Sequence, residues 1–141
     1  MEFLKILVPV SGNKADKETI ELACRLAKPS KGNIYIVYVI AIKRALPLEA
    51  EINSEIKKAE AILDQAESVA EDQDYEVETD LIQARNAAPA IVDEAIDRKV
   101  DLILLGDIYK WRFGQFSLGN VVPYVLKNAP CRVILYHQLP K

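Results

Sequence analysis

Cysteine and histidine are nearly missing from this chain of 141 residues, which has two of the first and one of the second. That scarcity removes several kinds of chemistry at once. There is no Cys/His cluster for zinc and no Ser/His/Asp set for nucleophilic hydrolysis. Cys24 and Cys131 stand far apart, each in an apolar setting. They read as two buried free thiols rather than a disulfide or a metal pair. His137, near the C-terminus, reads as a surface residue. No apolar run approaches the length of a membrane span. The opening residues MEFLKILVPV are too short and too β-branched for a secretory signal and end in a turn. With no targeting signal in view, the cytoplasm is the expected compartment. Internal repeats, linkers and low-complexity tracts are also missing.

Acidic residues disappear from one stretch. The chain carries 21 of them and a net charge of −3, yet none falls between Ile108 and Lys141, where Lys110, Arg112, Lys127, Arg132 and Lys141 remain. A basic end on an acidic chain suits a phosphate-bearing ligand better than a nucleic-acid surface.

What is present describes one soluble globular domain long enough to bury a core, with 50% apolar and 28% charged residues. Apolar periodicity switches repeatedly between strand and helix spacing. Phe3 to Val10 reads as the first strand, followed by a turn at Ser11-Gly12-Asn13. A helix from Asp16 to Lys28 is capped by Asn13 or Asp16 and buries Ile20, Ala23, Cys24 and Ala27. Ile34 to Ile40 is a second strand, and Ala41 to Leu48 a connector broken at Pro47. Glu49 to Gln73 is a long helix, apolar on one face and acidic on the rest. That acidic side is a solvated face first and a recognition surface only second. Tyr75 to Ala84 alternates apolar with acidic residues, as a half-exposed edge strand does. A helix capped by Asn86 or Ala88 runs to Lys99. The alternation is βαβαβαβαβ, which predicts an α/β fold with a doubly wound parallel sheet and helices on both faces.

The stretch Asp101–Tyr136 carries the functional signal. Leu102 to Leu105 is an unbroken apolar strand that stops at Gly106. Gly106, Gly114 and Gly119 punctuate a loop, and Asn120 caps a helix running to Asn128 with Pro123 at its third position. Cys131 to Tyr136 is the final strand. A glycine loop ahead of a helix N-terminus can cradle an anion through free N–H groups and the helix dipole. The same glycines also suit a long surface loop that has to turn.

This segment resembles the nucleotide loop of the universal stress protein family: Gly, two residues, Gly, nine residues, Gly, then Ser or Thr. Gly106 and Gly119 fall on the first and third glycines, Tyr109 stands at the second, and Asn120 at the Ser or Thr. The likeness extends over nearly the whole chain. It implies a five-stranded sheet of order 3-2-1-4-5 and an adenine nucleotide, ATP or another, with or without magnesium, held between strands one and four. In a doubly wound sheet that is where the strand order reverses and ligands bind.

The likeness assigns residues in turn. Pro9, Val10 and Ser11 take the turn after strand one, with Ser11 in place of an acidic residue that faces adenosine. Val39 takes the position that packs on adenine. Leu105 and Gly106 end strand four. Gly119, Asn120 and Val121 take the turn around the phosphates. Tyr109 is the sharpest departure, because a side chain there blocks the phosphate path or moves the loop. Its ring, or that of Trp111, either stacks on a base or packs on the domain or a partner subunit. Lys110 and Arg112 either reach the outer phosphates or remain solvated.

Two other classes compete with this reading. SGNKADK after strand one is similar to the phosphate loop of ATP pyrophosphatases, but lacks its second glycine and final serine. A nucleotide-free dimeric regulatory module, free-standing or attached to a transporter, is favoured by Ser11 and Tyr109. No general base with a histidine or paired carboxylates can be placed at the crevice, and Asp107 is the only acid of the loop, so the chain reads as a binder and not an enzyme. The last strand, through Cys131, Val133 and Leu135, is the expected homodimer contact, since only Arg132 guards its edge. Neither nucleic acid nor membrane insertion is expected.

Overall fold

The computed structural model describes residues 2–108 and 120–138 and, between them, the backbone of 111–112 and 115–116. The chain alternates as its periodicity predicts: β1 (Lys5–Pro9), α1 (Ala15–Ala27), β2 (Asn33–Ala41), α2 (Asn53–Asp72), β3 (Glu78–Ala84), α3 (Ala87–Arg98) and β4 (Leu102–Ile108). There follow the short strands β5 (Trp111–Arg112) and β6 (Gln115–Phe116), then α4 (Val121–Asn128) and β7 (Arg132–Gln138). Five strands form one sheet in the order β3-β2-β1-β4-β7, every pair parallel. With β7 as the fifth major strand, this is the predicted order 3-2-1-4-5.

Each face of the sheet has its own core. Ile6, Val8, Ile34, Ile36, Leu102 and Leu104 point to α1 and α2 and meet Ile20, Ala23, Leu63 and Ala66. Leu7, Val37, Ile103 and Leu105 point the other way and meet Ile91, Val92, Val122 and Val125 of α3 and α4. Strict alternation along strands buried on both sides produces this division.

Several boundaries differ from the expectation. β4 does not stop at Gly106 but continues to Ile108, because β7 runs on to Gln138 and pairs Asp107 with His137 and Ile108 with Gln138. The glycine loop contains a small antiparallel hairpin, Trp111 opposite Phe116. α2 begins at Asn53 rather than Glu49, since the amide of Ala50 closes a turn onto the Pro47 carbonyl. The connector before it is tied down from β3: the Arg85 guanidinium donates to the Ile42, Lys43 and Leu46 carbonyls. β3 starts at Glu78, three residues later than expected, and α3 ends at Arg98, with Lys99 in the left-handed conformation. His137 is half-buried within β7 rather than out on the surface, and Cys131 is only partly buried, although both thiols are free.

Candidate functional site

The β1–α1 turn is built by its own side chains. Gly12 takes a positive φ of 84°, which turns the chain sharply after Ser11. Asn13 then ties the turn together: its amide donates to the Ser11 hydroxyl at 2.8 Å, and its carbonyl oxygen accepts from the Ala15 N–H at 2.8 Å. Lys14, not Asn13 or Asp16, holds the formal cap position of α1. Asp16 instead reaches back, and its carboxylate accepts from the Gly12 N–H at 2.7 Å and the Ser11 N–H at 3.3 Å. Burial pushes the Asp16 carboxyl above the ordinary aspartate range, and the two amide donors pull it part of the way back. An internal carboxylate thus occupies the donors that a phosphate loop at Ser11–Lys17 needs open. The pyrophosphatase reading of this turn loses its anchor there.

Two crevices of similar size open beside this turn. One, about 440 Å³, lies between α1 and α2 and is lined by Ile20, Ile62, Ala66 and Val69 with Lys14, Asp16 and Lys17 at its rim. The other, about 420 Å³, lies at the carboxyl ends of β1 and β4, where the strand order reverses. The second is the candidate ligand site, because it combines that position with a mixed polar and apolar lining.

Most of the expected residues meet in it. Pro9, Val10, Ser11, Val39, Leu105, Gly106, Asn120 and Val121 all line the crevice. Their arrangement is graded. Val37 and Val39 of β2, with Ala87 and Ile91 of α3, make one end apolar. Asn120 and the N–H groups at the start of α4 make the other end polar, and Ser11 after β1 stands between the two. Asn120 stands at the cap position of α4 as expected, but its side chain makes no capping bond. Its backbone is helical (φ −103°, ψ −29°) rather than extended, the geometry in which a cap side chain turns back onto the first turn. Its amide is therefore free of that bond at the mouth of the crevice. Tyr109, Lys110 and Gly119 lie outside the described residues, and so does the side chain of Arg112.

Packing alone explains why Gly106 is a glycine. A Cβ on Gly106 would stand 2.1 Å from the Thr19 hydroxyl oxygen of α1. Thr19 is buried and held by a 2.7 Å hydrogen bond to the Ala15 carbonyl, so it has little room to give.

Seven lining positions lie outside the expected set: Asn13, Val37, Tyr38, Ala87, Ile91, Asp107 and Val122. Ala87 and Ile91 belong to α3, and nothing local in the sequence says that this helix start reaches the crevice. Asp107 was read as a loop acid, whereas the extension of β4 makes it a strand residue that lines the crevice and is only 8% exposed. Its Oδ2 atom has no hydrogen-bond partner among the described residues.

Comparison with known proteins agrees with this fold. The pattern of the Universal stress protein family matches residues 2–137. A universal stress protein of Methanocaldococcus jannaschii is 30% identical over 139 residues, covering 94% of this chain and 81% of that protein. The solved universal stress protein of Archaeoglobus fulgidus superposes with a TM-score of 0.80 at 22% identity, covering 94% of this chain and 97% of that one. A second Archaeoglobus fulgidus structure, in complex with dAMP, superposes with a TM-score of 0.75 at 23% identity, covering 96% and 98%.

Proposed function

Since the chain belongs to the universal stress protein family, we propose that it is a sensing or regulatory domain that binds an adenine nucleotide in the β1–β4 crevice. The observation that carries this reading is the graded lining. An apolar end at Val39 and Ile91 suits a purine, and a polar end at Asn120 and the α4 N-terminus suits phosphates. The Archaeoglobus relative with dAMP supports an adenine ligand. The domain holds its ligand without turnover, because no described side chain beside the crevice pairs a nucleophile with a base. Magnesium, where it takes part, arrives with the phosphates. The free thiols Cys24 and Cys131 suit a reducing compartment, and the cytoplasm is the proposed location. Among the described residues no helix is long and apolar enough to cross a membrane. Assembly is as a homodimer through β7.

Isothermal titration with ATP, ADP and AMP, with and without magnesium, tests the reading. Saturable binding of at least one supports it, and heats no larger than dilution for all three overturn it. A second reading, a dimeric regulatory module that holds no nucleotide, is favoured by one observation. Among the described residues the crevice lining includes a buried carboxylate and no cation. In that case titration is silent while the dimer persists.

A further inference from the structure

Asp107 poses a problem that a ligand would solve. It is 8% exposed and lines the crevice, and its Oδ2 has no partner among the described residues. Leaving a buried carboxylate oxygen unpaired is costly. Strand alternation places Asp107 on the same side of β4 as Leu105, the side covered by α3 and α4. His137 stands opposite it in the β4–β7 register. A carboxylate in this position calls for hydrogen-bond donors from whatever fills the space.

The order of the elements indicates which donors. Along the crevice run Val39 of β2 with Ile91 of α3, then the end of β1, then Gly106 and Asp107 of β4, then the start of α4. A nucleotide laid with its base on the apolar end and its phosphate at α4 puts its sugar over the β1–β4 boundary, next to Asp107. Phosphate oxygens offer a carboxylate no donor, and the base amine belongs to the far end. The sugar hydroxyls remain. We propose that Asp107 is a specificity-determining residue that accepts hydrogen bonds from the ribose 2′- and 3′-hydroxyls of the bound nucleotide. This inference rests on the nucleotide reading above. It makes the crevice selective for ribonucleotides over deoxyribonucleotides, with Asp107 as the source of the selectivity.

The test is titration of the full chain with AMP, 2′-deoxy-AMP and 3′-deoxy-AMP, in the wild type and in Asp107→Ala. Loss of a hydroxyl bonded to a carboxylate should weaken wild-type binding roughly ten- to hundredfold for at least one deoxy analogue. In Asp107→Ala the preference for AMP should shrink to about threefold or less, because the acceptor is gone. Wild-type affinities that agree within about threefold for all three ligands, or full discrimination retained in Asp107→Ala, overturn the inference and leave nucleotide binding standing. Failure of AMP itself to bind the wild type removes the nucleotide reading and this inference with it. Asp107→Asn supplies a second readout in the ligand-free protein. Relief of an unpaired buried charge should leave its thermal midpoint equal to or above that of the wild type. A clear drop would make Asp107 a structural residue and overturn the proposal.

Discussion

Gly106 shows how one residue can answer to two neighbours. It lines the crevice, yet the steric reason it must be glycine comes from the opposite side of β4, where Thr19 of α1 presses on it. Gly106→Ala should therefore destabilise the fold by about 1–3 kcal/mol through overpacking. Adding Thr19→Ala should recover part of that loss, because the colliding hydroxyl is removed. Chemical denaturation of the two single variants and the pair checks this, and strictly additive losses would show that the collision is not the cause. Asp16 makes a different prediction. Its folded-state carboxyl is raised by burial, so the native chain binds more protons than the unfolded one just above the ordinary aspartate range. Its contribution to stability is present at lower pH and lost as pH rises through the raised value. Stability of the wild type relative to Asp16→Asn should fall across that window and level off above it. A difference that stays flat with pH would mean that the amides of Ser11 and Gly12 fully offset the burial.

The elements differ in how plainly they could be read beforehand. β1, β2 and β4 are apolar runs buried on both faces, and each was placed to within a few residues. α1 follows its apolar stripe, α3 does so at Ile91, Val92 and Ala95 but exposes Ile96, which the same stripe placed inward, and Ala59, Leu63, Ala66, Val69 and Ala70 of α2 are buried as the periodicity says. The ends are where the reading slipped. Pairing between strands far apart in sequence set them, as β7 did by drawing β4 out to Ile108. That extension turned Asp107 from a loop acid into a buried residue of the site, and no local pattern announces it. Eight expected site residues do line one crevice, because a doubly wound topology brings the ends of β1 and β4 together whatever the loops contain. Asp16, expected as a possible cap of α1, differs for a more local reason. Its carboxylate has two local uses, capping α1 or bonding back to the turn, and only the geometry of Gly12 chooses between them.

The two edges of the sheet are finished differently, and the difference predicts how the protein assembles. At the β3 edge, Glu78 and Asp80 are gathered by Arg98 at 3.3 Å each, and the guanidinium lies 4.6 Å from the centre of the Tyr35 ring. A charged, tied-down edge discourages pairing with another chain. At the β7 edge only Arg132 carries charge, and Val133, Ile134, Leu135 and Tyr136 follow it half-exposed. Tyr136 is anchored inward by a hydrogen bond to Glu18 of α1, which fixes β7 from one side and leaves its outer edge unpaired within the sheet. Edge-to-edge contact between two copies about a two-fold axis would satisfy that strand and stop at two subunits. The wild type should therefore sediment as a dimer at micromolar concentration. Val133→Lys with Leu135→Lys should give a folded monomer, because neither subunit can then bring its charged strand against the other. A wild-type monomer, or a double variant that still sediments as a dimer, would remove β7 as the contact. Val133 and Leu135 both also pack on the core under α4, so a double variant that loses its circular dichroism would require the same measurement on Val133→Lys alone, which keeps the Leu135 contact and should shift the equilibrium toward monomer in a chain that remains folded.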